Sequence, residues 1–557
     1  MIRNLFPLIF PLFFLLLGFD SYSQTVGLFY NNGSTPGYIL FAPINTDTTY
    51  LIDKCGKRIH EWGSTYNPGE SVHLLEDGLL LHTGDANNTM FDGGGRGGIL
   101  QKIDWDSNVE WSYQISDSNQ CQHHDAIELP NGNILTIAWE RYTAEDAIEH
   151  GRDPLNIGTF IWTDKIVEIK PIGSDSGEIV WQWRIWDHLI QEIDSSKLNY
   201  GVVADHPELI DINGGPQDLQ YIDWTHCNGL DYNAELDQVL LSCHNFSEVW
   251  IIDHSTTTVE AASHSGGNSG RGGDLMYRWG NPQMYHRGGY SDQKFFGQHS
   301  PNWIHDGYPD EGKIMVYNNG VSRPGGNYST IDIISPPAMI NENYPIIDGN
   351  AYEPVSQYWV YTADPPASMY SSVVSSGQRL QNGNTVIDVG SSATFLEINP
   401  DTNVAWKYKS PVGMNGIVSQ GQTPFNSMVF RCIFYDPNYP GLAGHALIPG
   451  APIEINPNNY ACDNAVGVEN IISEQENIYA YPNPFQNNFL LHIPFPTISA
   501  NLQIHDVTGR LIYEEKDFIT LNSSDKSINL SGYRGLIFIS LKSLSANKIW
   551  STTAIAE

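Results

Sequence analysis

The sequence predicts an all-β protein, a six-bladed β-propeller followed by a small C-terminal β-sandwich. Three observations carry that prediction. The first is composition: 557 residues include 51 Gly and 32 Pro, 12% are aromatic and 16% are charged. An average globular chain has about 25% charged residues. Few charges with many turn formers and aromatics suit a β-rich secreted chain, not a helical bundle or a disordered one. The second is a four-strand pattern that recurs down the chain. The third is a change of pattern after Asn456, where short alternating strands of another kind begin.

In chain order, residues 1–23 read as a signal peptide. Arg3 supplies the positive start, an apolar run spans Leu5 to Leu17, and Ser21 and Ser23 are the small residues before a cleavage point. The run is shorter than the roughly 20 residues a membrane helix needs. No later stretch reads as a membrane span.

Residues 24–460 hold the repeat. Copies begin at Val72, at His124, at His226, at His299 and at Ser375, and a weaker sixth holds Met428 to Asp436. Each has a strand, a tight acidic or Asn turn that is often Asp-Gly or Asn-Gly, a hydrophobic strand, a third strand, and a last strand with Trp at alternate or near-alternate positions. Such turns between alternating strands make antiparallel meanders. Four-strand units in fixed order make propeller blades. The early strands Gly37–Pro43 and Thr49–Trp62 lack an inner partner. They complete the last blade and close the ring, which removes open sheet edges. Six blades are expected, with seven as the alternative because the last copies are degenerate. Trp111, Trp181, Trp183, Trp279, Trp359 and Trp406 fall on outer strands, where packing between blades is their expected role. Between Arg184 and Asp223 lies the largest insertion. There Trp186, Leu189, Ile190 and Ile193 have helical spacing and predict a short amphipathic helix.

Residues 461–475 read as a linker, and residues 476–557 as the second domain, whose short alternating strands predict the sandwich.

The charge narrows the partners. Against 28 Lys and Arg stand 63 Asp and Glu, a net charge of −35. Nucleic acid and anionic membrane both need a cationic surface, so neither is expected. Cys227 and Cys243 flank a hairpin turn and either pair or remain buried thiols. HExxH, Walker A and CxxC motifs are absent, as is the Cys-x-Pro-x-Arg sequence of sulfatases. No cofactor or metal is expected. The glycine-rich stretches Gly93–Gly98 and Ser265–Gly273 could cradle an anion through backbone N–H groups, but blade loops account for them better.

Three copies open on histidine: Gln122-His123-His124-Asp125, Thr225-His226-Cys227-Asn228 and Gln298-His299-Ser300. In a propeller, equivalent positions of successive blades ring the central channel, so these imidazoles are expected to meet at one mouth. The HHD, H-x-N and QH motifs resemble the bacterial arylsulfotransferase family from about Tyr38 to Pro440. That resemblance implies sulfuryl transfer from a phenolic sulfate ester to a phenol acceptor, without a nucleotide donor. It implies His299 as the transiently sulfated residue and His124 and His226 as its supporting histidines, with Asn228 in the H-x-N motif beside them. Where the family has Ser-Ser-Arg-His, this chain reads Leu241-Ser242-Cys243-His244, so the arginine is absent. His244 and Arg323 are the candidate replacements. The competing reading is a non-catalytic cell-surface propeller that binds a glycan or protein.

In the tail, Tyr481-Pro482-Asn483-Pro484-Phe485, the Asp506-Val507-Thr508-Gly509-Arg510 turn and Gly532-Tyr533 resemble the C-terminal sorting domain of type IX secretion substrates. That implies the type IX machinery as a partner, with passage through the periplasm and across the outer membrane to the cell surface or the medium.

Overall fold

A computed structural model describes residues 24–44, 46–216, 222–458, 462, 478–481, 483–493, 499–508, 510–519, 524–543 and 549–556. The expected signal peptide lies outside the described residues, and so does the expected linker apart from Cys462. The chain divides into two compact units, Met1–Asp463 and Asn464–Glu557.

Among the described residues, the first unit is built from six antiparallel sheets of four or five strands. Each repeat of the sequence is one sheet. The first runs Pro68–Leu74, Leu80–Asp85, Gly98–Ile103, Val109–Gln114. The second runs Gln120–Glu128, Ile134–Thr143, Phe160–Ile172, Ser176–Arg184. The third holds Cys227–Asn233, Gln238–Cys243, Glu248–Asp253 and Tyr277–Trp279. The fourth holds His299–Trp303, Ile314–Asn318, Thr330–Ile334 and Trp359–Tyr361. In the fifth, Ser376–Arg379, Thr385–Val389, Thr394–Ile398 and Val404–Lys409 gain an outer strand from Gly27–Asn31. The sixth is composite: Val429–Tyr435 pairs with Tyr38–Pro43, followed by Thr48–Asp53 and Arg58–Gly63.

The turns explain the repeat locally. In Asp77-Gly78, Asn131-Gly132 and Asn382-Gly383 the glycine takes φ of 89°, 82° and 87°. The preceding Asp or Asn side chain accepts the N–H two residues on, at 3.0, 2.9 and 3.0 Å. Both features are open to these residues at low steric cost.

The outer-strand tryptophans join one sheet to the next. Trp111 Nε1 donates to Ser176 O at 2.8 Å, Trp183 to Gly273 O at 2.6 Å, Trp279 to Pro354 O at 2.7 Å and Trp406 to Lys54 O at 2.8 Å. From the sixth sheet, Trp62 meets Trp105 beside the first, with ring centroids 5.1 Å apart. Burying rings of this size contributes on the order of 2–3 kcal/mol each.

The insertion after Arg184 departs from expectation. Instead of an amphipathic helix it forms 3₁₀ turns at Ile185–His188 and Val203–Asp205, with a small parallel pair, Leu189–Ile190 against Ile210–Asp211. Gln191 is the reason. Its Oε1 accepts the N–H groups of Ile193 and Asp194 at 2.8 and 2.9 Å, which holds the backbone in a loop. Ile193, expected on the apolar face, is exposed.

Disulfides join Cys227 to Cys243, on neighbouring strands, and Cys55 to Cys462, 407 positions apart. Cys121 and Cys432 are buried thiols.

In the second unit, Tyr479–Tyr481, Asn488–Ile493 and Ser524–Asn529 form one antiparallel sheet. Leu511–Ile519, Ser499–Asp506, Gly535–Ser543 and Ile549–Ala556 form another. Phe489 and Leu491 of one share a buried cluster with Ile504, Ile537 and Ile539 of the other. Asp506 closes its turn by accepting from Thr508 Oγ1 at 2.6 Å and from Arg510 N at 3.1 Å. These bonds stabilise its carboxylate and bring its pKa down to about 2.

Candidate functional site

The histidines that open the inner strands come together. Ring centroids lie 4.8 Å apart for His124 and His226, 5.4 Å for His226 and His244, and 5.3 Å for His244 and His299. The second, third and fourth sheets supply these imidazoles. Phe430 of the sixth lies 5.9 Å from His124. Glu70 of the first places Oε2 3.9 Å from His124 Nε2.

The backbone that delivers them is unusual. Glu70, His124, His226 and Ser300 have φ of 92°, 53°, 46° and 49°. L-residues rarely adopt these values, which cost on the order of 1 kcal/mol or more each. His299 therefore stands one residue before the left-handed position that His124 occupies. The three histidines meet, but not by strictly equivalent backbone positions.

Glycine is required above His124. At Gly95, with φ +80°, a Cβ would lie 2.1 Å from His124 Cε1, and His124 N donates to Gly95 O at 2.7 Å. The Gly93–Gly98 stretch thus packs on the site, and Gly98 N is spent on Gln122 Oε1 at 2.9 Å.

Hydrogen-bond partners fix the tautomers. His123 Nε2 faces the Asp164 carboxylate at 2.7 Å and so donates to it. His123 Nδ1 then accepts from His124 Nδ1 at 2.8 Å, leaving the His124 lone pair on Nε2. Asn319 Nδ2 donates to Ser371 O and Val374 O, so its Oδ1 accepts from His299 Nδ1 at 2.9 Å. The His299 lone pair is also on Nε2, where it receives the Val374 N–H at 3.2 Å. Asn245 Nδ2 donates to Asp223 O at 2.9 Å, and its Oδ1 accepts from His244 Nδ1 at the same distance. His226 Nδ1 donates to Asp223 Oδ2 at 2.5 Å, and Trp139 Nε1 donates to Asp223 Oδ1 at 3.0 Å.

These environments separate the charges. Burial and the neighbouring imidazoles hold His124 and His299 well below the usual histidine value. Burial, then His226, brings His244 down to about 4. Burial also opposes charge on His226, yet Asp223, with Asp164 and Glu70 farther off, holds its pKa above the ordinary value. Glu70 is pushed up to about 7 by burial. The cluster thus sets three imidazoles held toward the neutral form, each with an Nε2 lone pair, beside one that Asp223 holds toward the charged form. His124 and His299 are 2% and 3% exposed, while the His226 side chain keeps 18%.

Of the supporting residues named from sequence, His244 lies in the cluster. Asn228 acts through the backbone: its Nδ2 donates to Gln298 O at 2.8 Å, beside His299. Arg323 is placed elsewhere. Its guanidinium stacks 4.4 Å from the Tyr328 ring and donates to Thr330 Oγ1 at 3.0 Å. It lines a cavity of about 490 Å³ with Tyr290, Lys294 and Phe296. Arg431 bonds Asp125 and Ser300, the residues after His124 and His299. Glu70, Asp164, Asp223, Asn245 and Asn319 are likewise not singled out from sequence as site members.

The family model described as arylsulfotransferase (ASST) matches residues 30–412, and that described as secretion system C-terminal sorting domain matches residues 479–552. The tail is thus a type IX sorting domain, which marks the chain for export to the cell surface or secretion. No helix among the described residues is long and apolar enough to cross a membrane. No curated protein matches the chain. Among solved structures, a protein of unknown function from Bacteroides caccae is 12% identical, covering 72% of this chain and 98% of its own, with a TM-score of 0.38. Virginiamycin B lyase from Staphylococcus aureus is 9% identical, covering 69% and 88%, at 0.31.

Proposed function

Because this chain belongs to the arylsulfotransferase family, we propose that it moves a sulfuryl group from an aryl sulfate ester to a phenol through a sulfohistidine, with no nucleotide donor. The observation that carries this reading is the cluster of three Nε2 lone pairs beside one imidazole that Asp223 holds toward the charged form. In the first half-reaction His299 Nε2 gives up the Val374 N–H and attacks sulfur. The N–S bond forms as the S–O bond to the aryl oxygen breaks, and the phenolate leaves with both electrons of that bond. In the second, the phenol acceptor's oxygen attacks sulfur, the N–S bond breaks and its electron pair returns to His299. Splitting the transfer in this way replaces one difficult step with two easier ones.

The moving group spreads charge over its oxygens, so a fixed cation is worth most there. His226, held toward the charged form by Asp223, supplies positive charge in the absence of the family arginine. Glu70, with a pKa near neutrality, passes a proton to the departing phenolate and takes one from the incoming phenol, beside the Nε2 lone pair of His124. Asn228 and Gln298 position His299.

The six sheets are read as the blades of one six-bladed propeller spanning residues 24–460, with the imidazoles at one mouth. The tail from residue 476 is read as a β-sandwich removed after export, and residues 1–23 as a cleaved signal peptide. A second reading, a non-catalytic surface propeller that binds a glycan or protein, draws on the depth of His124 and His299. The test is intact-mass measurement after mixing with p-nitrophenyl sulfate. A gain of about 80 Da that maps to His299 and disappears on adding phenol supports transfer. No adduct with any aryl sulfate, and ligand binding unaltered by His299→Ala, supports the second reading.

A further inference from the structure

His188, His264 and Asp274 lie apart from the imidazole cluster, where the long insertion meets the third sheet. His188 is fully buried and stacks parallel to Trp183, with ring centroids 5.6 Å apart. Its Nε2 lies 2.8 Å from Ala261 O, and its Nδ1 lies 2.8 Å from Asp274 Oδ1. His264 brings Nδ1 within 2.7 Å of that same Oδ1.

Both ring nitrogens of His188 therefore face oxygens that only accept. A neutral imidazole has one N–H and satisfies only one of them. With the N–H on Nε2 toward Ala261 O, the Nδ1 lone pair points at a carboxylate oxygen; with it on Nδ1, the Nε2 lone pair points at the carbonyl. In the first arrangement a cation between His188 Nδ1 and Asp274 Oδ1 would satisfy both atoms. A metal-ligating histidine commonly donates its other N–H to a backbone carbonyl, which orients the ring. His188 has that orientation already.

The glycine-rich stretch Ser265–Gly273 makes the meeting. Gly272 N donates to Gly266 O at 2.9 Å and Gly273 N to Ser263 O at 3.0 Å. Other N–H groups of the stretch are spent on neighbouring side chains, Ser269 N on Asp253 Oδ2 and Asn268 N on Ser255 Oγ, each at 2.7 Å, and the loop brings His264 and Asp274 together. At Gly273 a Cβ would lie 2.0 Å from Ala261 O and 2.6 Å from His188 Nε2, so the close approach needs glycine.

We propose that His188 Nδ1, His264 Nδ1 and an Asp274 carboxylate oxygen form a divalent transition-metal site of the kind zinc occupies. The three ligand atoms lie within 4.8 Å of one another. Tetrahedral ligation at about 2.0–2.1 Å places ligand atoms roughly 3.3 Å apart, so a modest outward shift of His264 and Asp274 admits the ion. Two nitrogens and one oxygen suit zinc above calcium or magnesium. The site opens on a cavity of about 640 Å³, also lined by Asp205, His206 and Glu208, which leaves a fourth position to water or an outside ligand. No motif marks it, because the ligands come from separate loops.

The test uses the full mature chain, stripped with chelator and titrated with zinc by calorimetry, with cobalt absorption as a second readout. The expected result is one equivalent of zinc per chain that weakens at least tenfold in His264→Ala and in Asp274→Asn and persists in His299→Ala. His264 is exposed, so its loss leaves the fold intact. Absence of zinc binding, or zinc binding unchanged in both variants, overturns the proposal. Zinc lost only in His299→Ala places the metal in the other cluster and overturns it equally.

Discussion

Arg431 donates to both oxygens of Asp125, at 2.6 and 3.3 Å, and so ties the composite sixth sheet to the residue that follows His124. Asp125 is fully buried. Burial would raise its pKa, but Arg431 and His73 hold it well below the carboxylate range. The pair thus stabilises the fold above the unfolded-state value of about 4, and that contribution fades as pH falls toward the lower folded value.

Arg431→Met leaves a buried carboxylate without its partner. The expected cost is about 3–5 kcal/mol near pH 7, read from denaturant unfolding. The double variant Arg431→Met with Asp125→Asn should recover much of it. If the single variant is as stable as the parent, the ion pair does not hold the sheets together.

His226 owes its charge to Asp223. Asp223→Asn keeps an acceptor oxygen for the His226 N–H but removes the negative charge, so the pKa of His226 falls. The imidazolium is present below its raised pKa and disappears as pH rises through it. In the parent, the alkaline limb of kcat/KM should reflect that loss. In Asp223→Asn the limb should move to lower pH and the rate near neutrality should fall about 10²–10³-fold. An unmoved pH profile would show that His226 is not the working cation.

How much of this was legible in the sequence follows from range. Turns such as Asn131-Gly132 act within a few residues, and the histidines recur at strand starts, so sheets and cluster could both be read. Glu70 is one of 63 acidic residues, and only its seat on the first inner strand gives it meaning. Asp164 meets His123 across 41 positions, and Val374 uses only its backbone N–H. Neither leaves a local signal. Arg323 and Arg431 look alike in sequence; the first follows Gly320 into a loop, while the second lies on an inner strand, in the repeat copy that is most degenerate. The expected helix near Ile193 failed because one glutamine side chain outcompeted a spacing pattern.

Glu70 is expected to matter most when the leaving group is a poor one. With p-nitrophenyl sulfate the departing phenolate needs little protonation, so Glu70→Gln should change the rate little. With phenyl sulfate, which leaves as a more basic phenolate, the loss should reach about 10²-fold. Rates across a series of donors give the comparison. Equal losses for both donors would show that Glu70 shapes the site without moving a proton.

Gly95→Ala should distort the site from a residue with no chemistry of its own. The added Cβ would meet His124 Cε1 at 2.1 Å, at a φ of +80° that disfavours alanine. The expected penalty is about 1–3 kcal/mol in stability, with a larger fall in adduct formation because His124 must turn away. Thermal unfolding and adduct yield, measured on the same sample, separate the two effects.

The thiols give a check on the closure of the first unit. Cys55–Cys462 ties the early strands to the end of that unit, and Cys227–Cys243 spans one hairpin. Cys121 and Cys432 are buried, and burial pushes the Cys121 thiol up to about 11 and Cys432 well above its usual range. Such thiols are poor nucleophiles at neutral pH. A colorimetric thiol titration of the exported protein should therefore find no fast-reacting group in the native state. It should find two after denaturation without reductant, matching the two buried free cysteines, and six after reduction, the full cysteine content. The Cys55→Ser, Cys462→Ser variant should lose about 2–5 kcal/mol, since the bridge constrains a very long loop in the unfolded chain. Four thiols in the denatured, unreduced parent would mean that one bridge does not form. Mapping which peptide is alkylated would then show whether the long-range tie or the hairpin is open.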